Sequence, residues 1–195
     1  MLNKVISRSG LEVVATCSPH NFAMVRDLGA DAVFDYKSPS VGSDIRELTR
    51  NGLYHAFDCI STDESARICA DALSDDTASQ KPGYSALLYC AFPREDVCVN
   101  VTVAHTIFGE SFTKPELGPG NFPADASDYE FGQAFWKMTK GLFAEGKLKV
   151  HPPDIRGGGL EGVLEGLEEL KLGKVSGRKL VYNLAACGQN GAAKG

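Results

Sequence analysis

Hydrophobic and polar positions follow two rhythms along this chain. Residues 11–16 (LEVVAT) form a short apolar run with two valines, long enough for a buried strand and too short for a helix. Phe22, Val25 and Leu28 then recur at helical spacing, Gly29 stands where a helix closes, and residues 32–34 resume a strand. Ser18 occupies an N-cap position and Pro19 the first helical one, where a missing N–H costs nothing. A strand, a helix of about ten residues and a second strand predict a right-handed βαβ unit of a parallel sheet.

The rhythm continues downstream. Ser43 or Asp44 can cap a helix running to about Thr49, Asn51-Gly52 turns the chain, and residues 54–60 (YHAFDCI) read as the next strand. Asp58, near the carboxyl end of that strand, is either a polar group at a ligand edge or a cap for the next helix. Ser61 and Thr62 open that helix, with Ala66, Cys69, Ala70 and Leu73 on one face. Residues 74–82 are a polar loop, residues 84–90 (YSALLYC) a buried strand, and residues 97–104 a half-buried or edge strand.

Residues 106–112 (TIFGESF) break the alternation, and residues 113–127, rich in proline and glycine, form a long loop. A helix is predicted over 128–146, with Phe131, Phe135, Met138, Leu142 and Phe143 as a core-facing stripe. Residues 147–155 are extended because Pro152 and Pro153 exclude helix. The last helix spans 160–172 with Leu160, Val163, Leu164, Leu167 and Leu170 inward and Gly173 as its cap, and residues 179–184 are a final strand. Residues 1–9 have the pattern of the last turns of a helix ended by Gly10, and the tail 185–195 has the composition of disorder. Alternating strands and helices predict an α/β fold with a doubly wound parallel sheet.

Composition narrows the classes. The 195 residues suit one domain with an appended piece, and 43% hydrophobic with 23% charged residues is ordinary for a soluble globular protein. A net charge of −5 without a dense Lys/Arg cluster argues against a nucleic-acid surface. No apolar run reaches the ~18 residues of a membrane span, and residues 1–10 lack a signal-peptide core. The six cysteines include no C-x-x-C pair, which disfavours a zinc knuckle and makes a reducing, cytoplasmic compartment the default. His20, His55, His105 and His151 are scattered, so no metal site is expected. Neither G-x-S-x-G nor G-x-x-x-x-G-K-[ST] occurs. Gly157 to Gly162 fit G-x-G-x-x-G but follow a Pro-Pro segment, open no further βαβ unit and have Tyr182, not an acid, about twenty residues on; they read as a structural turn.

The candidate chemistry lies after the first strand, because parallel sheets bind ligands at the carboxyl ends of their strands. Thr16, Cys17, Ser18, Pro19, His20 and Asn21 offer hydroxyl, imidazole and amide groups at a helix N-terminus and no carboxylate. An acid there would bind a ribose 2′-OH and repel a 2′-phosphate, so the residue choice favours NADP over NAD. The plainer alternative is that Ser18 only caps the helix. The basic turn at residues 173–179 is either a solvated connection or, through its two glycines, a place where backbone closely approaches a ligand.

These segments resemble the medium-chain dehydrogenase/reductase superfamily, and most of all its zinc-free, fungal-type trans-acting enoyl reductases that partner polyketide synthases. The segments concerned are LEVVATCSPHNF, LGADAVFDY, HAFDCIS, YSALLYC, TIFGESF and GGGLEGVLEGLEELKLGKVSGRKLVY. The resemblance implies a Rossmann-like NADP(H) site in which Ser18, Pro19, His20 and Asn21 hold the 2′-phosphate and Tyr36 lies beside the adenine ribose. Leu87 and Leu88 would lie along the nicotinamide half, and Val175 and Ser176 would contact the cofactor from the last turn. Phe108, Gly109, Glu110, Ser111 and Phe112 would line an acyl pocket. No proton donor is identified.

The resemblance implies NADPH-dependent reduction of an enoyl thioester, the acyl group either free or carried on a synthase's carrier protein. Residues 1–150 would be a partial NADP-binding domain. Residues 151–184 would return towards a GroES-like catalytic domain that, with the first Rossmann strand and the Gly-rich loop, has no counterpart in this sequence. The strands at 11–16 and 54–60 would then lack their shared neighbour. An N-terminally truncated form, weak or inactive alone, is the expectation. A non-catalytic module complementing a partner chain and a quinone or alcohol reductase of the same superfamily are the alternatives.

Overall fold

A computed structural model describes residues 10–148 and 150–184. The helical turns expected over residues 1–9 and the disordered tail expected over 185–195, with Cys187, lie outside the described residues.

The opening βαβ unit forms as the pattern predicts. β1 (Val14–Cys17) runs parallel to β2 (Ala32–Asp35), pairing Val14 with Ala32 and Cys17 with Asp35. Between them, a single 3-10 turn at Pro19–Asn21 leads into the short helix α1 (Phe22–Asp27). Gly29, at φ 102°, reverses the chain after α1. The Val13 N–H donates to Asp31 at 2.7 Å, closing the unit. Ser18 sits at the N-cap in extended conformation, but its hydroxyl makes no capping bond.

Helix α2 (Val41–Leu48) starts earlier than the pattern predicts. Its N-cap is Ser40, not Ser43 or Asp44. Val41 and Ile45, one turn apart, are both buried, and burying the first of them draws the helix start upstream. β3 (His55–Asp58) is followed by α3 (Asp63–Ala72), which Thr62 and Ser65 close with a reciprocal capping box. β4 (Gly83–Ala86) and the edge strand β5 (Cys98–Val101) complete a parallel sheet in the order β3-β4-β5. Ala66, Leu73, Tyr84, Ala86 and Val97 form its core, with Phe92 stacked on Tyr84 at 4.2 Å.

The two sheets are not joined: among the described residues β1 pairs only with β2, and β3 only with β4. The helices bridge them instead. Val41, Ile45 and Ala72 are buried together, and Val14 and Phe34 of the β1–β2 sheet, Leu53 just before β3 and Ile68 of α3 pack against them.

The segment expected as a loop carries a small hairpin. β6 (Phe112–Thr113) pairs antiparallel with β7 (Asn121–Phe122), held by stacking of Phe112 on Phe122 at 4.7 Å. Helix α4 (Ala126–Ala144) then begins at Asp125, whose carboxylate accepts from the Ser127 and Asp128 N–H groups. Its buried contact is made by Gly132 against Ile107 and by Thr139. Most of the predicted stripe is not core: Phe131 is 65% exposed, Phe135, Met138 and the neighbouring Trp136 are exposed as well, and only Leu142 and Phe143 are half-buried.

A similar reversal occurs in the last unit. β8 (Pro153–Arg156) pairs parallel with β9 (Lys179–Tyr182) around α5 (Gly159–Lys171). Periodicity points Leu160, Leu164, Leu167 and Leu170 inward, but all four are exposed, Leu164 at 69%. The buried face is Gly159, Gly162 and Gly166, and the Tyr182 ring lies against the last two. A ring that close to helix backbone leaves no room for larger side chains, so the glycine face wins the contact. The G-x-G-x-x-G stretch is thus a turn and a packing surface, with Gly158 and Gly159 both at positive φ. Arg156 bridges Asp154 and Glu169, pinning β8 to α5.

Candidate functional site

The parallel register of β1 and β2 decides the first corner. Because Cys17 lies opposite Asp35, the next residues, Ser18 and Tyr36, leave the same end of the sheet side by side. Pro19 fixes the turn, and the Asn21 N–H donates to the Ser18 carbonyl at 2.9 Å. His20 is exposed and Asn21 partly so, and Tyr36 is exposed with the Lys37 ammonium 5.8 Å from its ring centroid. Asp35, the one carboxylate at the end of β2, accepts from the Lys37 N–H. The Cys17 thiol is pushed up by burial first and by Asp35 second, which favours its protonated form.

The last turn closes on this corner. Ser176 Oγ is 2.8 Å from His20 Nε2 and accepts from Asn21 Nδ2 at 3.0 Å. Gly177, at φ 64°, abuts Asn21 Oδ1 and the Met24 side chain so tightly that a Cβ there would collide with both. Ser18, Pro19, His20, Asn21, Tyr36, Val175 and Ser176, dispersed along the sequence, therefore come to one place. The result is a hydroxyl, imidazole and amide surface of the kind that binds phosphate oxygens.

Leu87 and Leu88 lie elsewhere, just past the carboxyl end of β4, both exposed. What holds them was not legible in the sequence. Ser61, buried and at φ 59°, accepts from the Leu87 and Leu88 N–H groups at 3.1 and 3.2 Å and donates to the Asp58 carbonyl. Asp58 in turn accepts from the Ser61 and Ile60 N–H groups and from the Ser65 and Tyr84 hydroxyls. Burial alone would raise its pKa, but those donors, the Ser61 N–H foremost, hold the carboxyl below its ordinary value. Burial, then the contacts with Cys90 and Asp58, pushes the Tyr84 phenol far up, so it stays a donor. The only sequence signal was Asp58 at a strand end. It organises the β3–α3 turn, while Thr62 caps the helix.

Of the residues placed in the acyl pocket, Phe108 ends a 3-10 turn (Ala104–Phe108) and is 66% exposed. Gly109 packs on Tyr129, Glu110 and Ser111 are at least partly exposed, and Phe112 is engaged with Phe122 and His105. Ser111 and Phe112 border an open groove of about 460 Å³ with Thr113, Asn121, Phe122 and Pro123. A larger depression of about 620 Å³ around Arg46, Arg50 and Asp71 includes none of the candidate cofactor or acyl residues. No helix among the described residues is long and apolar enough to cross a membrane.

No family model matches this chain. Curated relatives do. It is 42% identical over 163 residues to the dual trans-enoyl reductase/FAD-dependent monooxygenase tazHJ of Aspergillus terreus, covering 84% of this chain and 22% of that protein. It is 41% identical over 177 residues to the trans-enoyl reductase ACTTS2 of Alternaria alternata, covering 90% and 49%. It is 34% identical over 186 residues to lovC, the enoyl reductase component of the lovastatin nonaketide synthase of Aspergillus terreus, covering 93% and 49%. The chain thus spans about half the length, or less, of these relatives. Among solved structures, the CurF ER cyclopropanase of the curacin A pathway matches with TM-score 0.60 at 23% identity, covering 92% of this chain and 50% of that one. A quinone oxidoreductase of Pseudomonas syringae matches with TM-score 0.61 at 19% identity, covering 91% and 51%. These likenesses give the fold.

Proposed function

We propose that this chain, a relative of the fungal trans-enoyl reductases with a Rossmann-like medium-chain dehydrogenase/reductase fold, is the NADPH-binding part of an enzyme that reduces the C=C bond of an enoyl thioester. The observation that carries the reading is the convergence of His20 and Asn21 on Ser176 beside Ser18 and Tyr36. That corner supplies neutral donors and a free hydroxyl, which fits a 2′-phosphate. The Ser18 hydroxyl, unused as a cap, is one donor, and the Asn21 amide is another. Tyr36 flanks the ribose, Val175 and Ser176 close over the cofactor, and Leu87 and Leu88 present an apolar edge to its nicotinamide half.

The bound cofactor supplies the hydride, delivered to the β-carbon of the substrate with a proton added at the α-carbon. This chain's residues bind and orient. Phe108, Gly109, Glu110, Ser111 and Phe112 line the acyl side, and the thioester is presented by a polyketide synthase. Residues 1–150 form the cofactor-binding part, and residues 151–184 lead towards a catalytic domain.

The test is fluorescence titration of the chain with NADPH and with NADH. Saturable binding of NADPH, much tighter than NADH, is expected; no binding of either at millimolar concentration overturns the reading. Turnover of a crotonyl thioester in preference to quinones identifies the substrate class. One observation favours a second reading, a module that acts only with a partner chain: the β1–β2 and β3–β4–β5 sheets are joined by helices but by no ladder among the described residues. Cofactor binding without turnover, restored by a partner, would select it.

A further inference from the structure

We propose that Ser61 is a positioning residue for the nicotinamide half of the cofactor, acting through the Leu87–Leu88 backbone; this rests on the NADPH reading above. Three independent features single it out. Among the described residues, Ser61 is one of three non-glycine residues at positive φ, a conformation that costs energy and persists where surrounding bonds enforce it. Its N–H is fixed by the Asp58 carboxylate at 2.9 Å and its hydroxyl donates to the Asp58 carbonyl at 3.2 Å. With that proton committed, the oxygen accepts from two consecutive N–H groups, those of Leu87 and Leu88.

Consecutive amides seldom converge on one acceptor in an extended strand, whose N–H groups alternate in direction. The pair of hydrogen bonds therefore marks a bend where the chain leaves β4, and it sets how the exposed Leu87 and Leu88 side chains stand at the sheet end. Ser61 joins the carboxyl ends of β3 and β4 above their last paired residues, Asp58 and Ala86. Asp58, itself buried and bonded to Ser65 and Tyr84, anchors the whole arrangement to the core. Among the described residues no hydrogen bond links this network to the corner at Ser18, so its effect should be confined to one end of the ligand.

Ser61→Gly is the informative variant, because glycine accepts the positive φ without strain and only the hydroxyl is lost. The probes are NADPH and adenosine 2′,5′-bisphosphate, which carries the adenosine half alone, titrated against the full chain. NADPH should bind the variant about five- to tenfold more weakly, the size of effect expected for a lost anchoring bond, with bisphosphate affinity unchanged. Leu87 and Leu88 amide exchange should accelerate. Equal loss of both ligands, with a lowered unfolding midpoint, would make Ser61 merely structural and overturn the proposal. So would unchanged NADPH affinity, or a wild type that binds bisphosphate as tightly as NADPH. A wild type that binds neither ligand defeats the NADPH reading itself.

Discussion

His20 Nε2 and Ser176 Oγ, 156 positions apart in sequence, lie 2.8 Å from each other. The bond fastens the turn before β9 to the turn after β1, and Asn21 doubles it. These side chains are largely exposed, so their value is in placing polar groups rather than in stabilising the fold.

Ser176→Ala should accordingly leave folding almost untouched, changing stability by less than about 1 kcal/mol. It should weaken NADPH binding about three- to tenfold while NADH is unaffected. Paired fluorescence titrations measure this; an equal loss for both nucleotides would remove the 2′-phosphate from this corner.

Asp58 predicts a pH dependence. Its carboxyl is held below its ordinary value of 3.8 in the folded chain, so the stabilisation it confers is complete well above that value and is lost as pH falls below it through the lower folded-state value. Asp58→Asn should cost about 1–3 kcal/mol near neutral pH, with the gap between variant and wild type closing as the pH drops below 3.8. Denaturant unfolding at a series of pH values checks the sign; a gap that widens in acid contradicts it.

Two helical glycines should respond oppositely to alanine. A Cβ on Gly162 would overlap the Gly157 carbonyl, and backbone cannot step aside, so Gly162→Ala should destabilise the β8–α5–β9 unit by about 1–3 kcal/mol. A Cβ on Gly141 in α4 meets no described atom within 4 Å. Gly141→Ala should stabilise by about 0.5–1 kcal/mol. Thermal unfolding of the two variants side by side is sufficient.

The Tyr182 hydroxyl is buried with no hydrogen-bond partner among the described residues. Tyr182→Phe removes a desolvated polar atom without opening a cavity, and should be neutral or stabilise by up to about 1 kcal/mol. A clear loss of stability would mean that the hydroxyl is paired in solution.

Short-range patterns were legible where one segment contains its own answer. The βαβ unit at residues 11–36 and the α3 helix after Ser61-Thr62 appear close to where apolar spacing and turn residues put them, whereas the buried strand expected over 84–90 ends at Ala86, and Leu87, Leu88 and Tyr89 are exposed because the chain bends away there. The pattern failed where a face had to choose a partner. Leu160, Leu164 and Leu167 share a stripe, as do Phe131, Phe135 and Met138, but periodicity says only that a stripe exists, not that this chain supplies its cover. Gly162 and Gly166 won the contact with Tyr182 because close approach depends on absent side chains, which a hydrophobic pattern does not register.

The same division holds for the site. Residue order alone determined that an acid-free, hydroxyl-bearing turn follows a strand, because the chemistry of Ser18, His20 and Asn21 and the constraint of Pro19 are properties of adjacent residues. Only the tertiary structure decided that Ser176 meets His20, that Tyr36 stands beside Ser18, and that Ser61 grips Leu87 and Leu88. Those meetings depend on strand register and on the packing of distant segments, and a hydrogen bond forms only when both have brought its donor within about 3 Å of its acceptor.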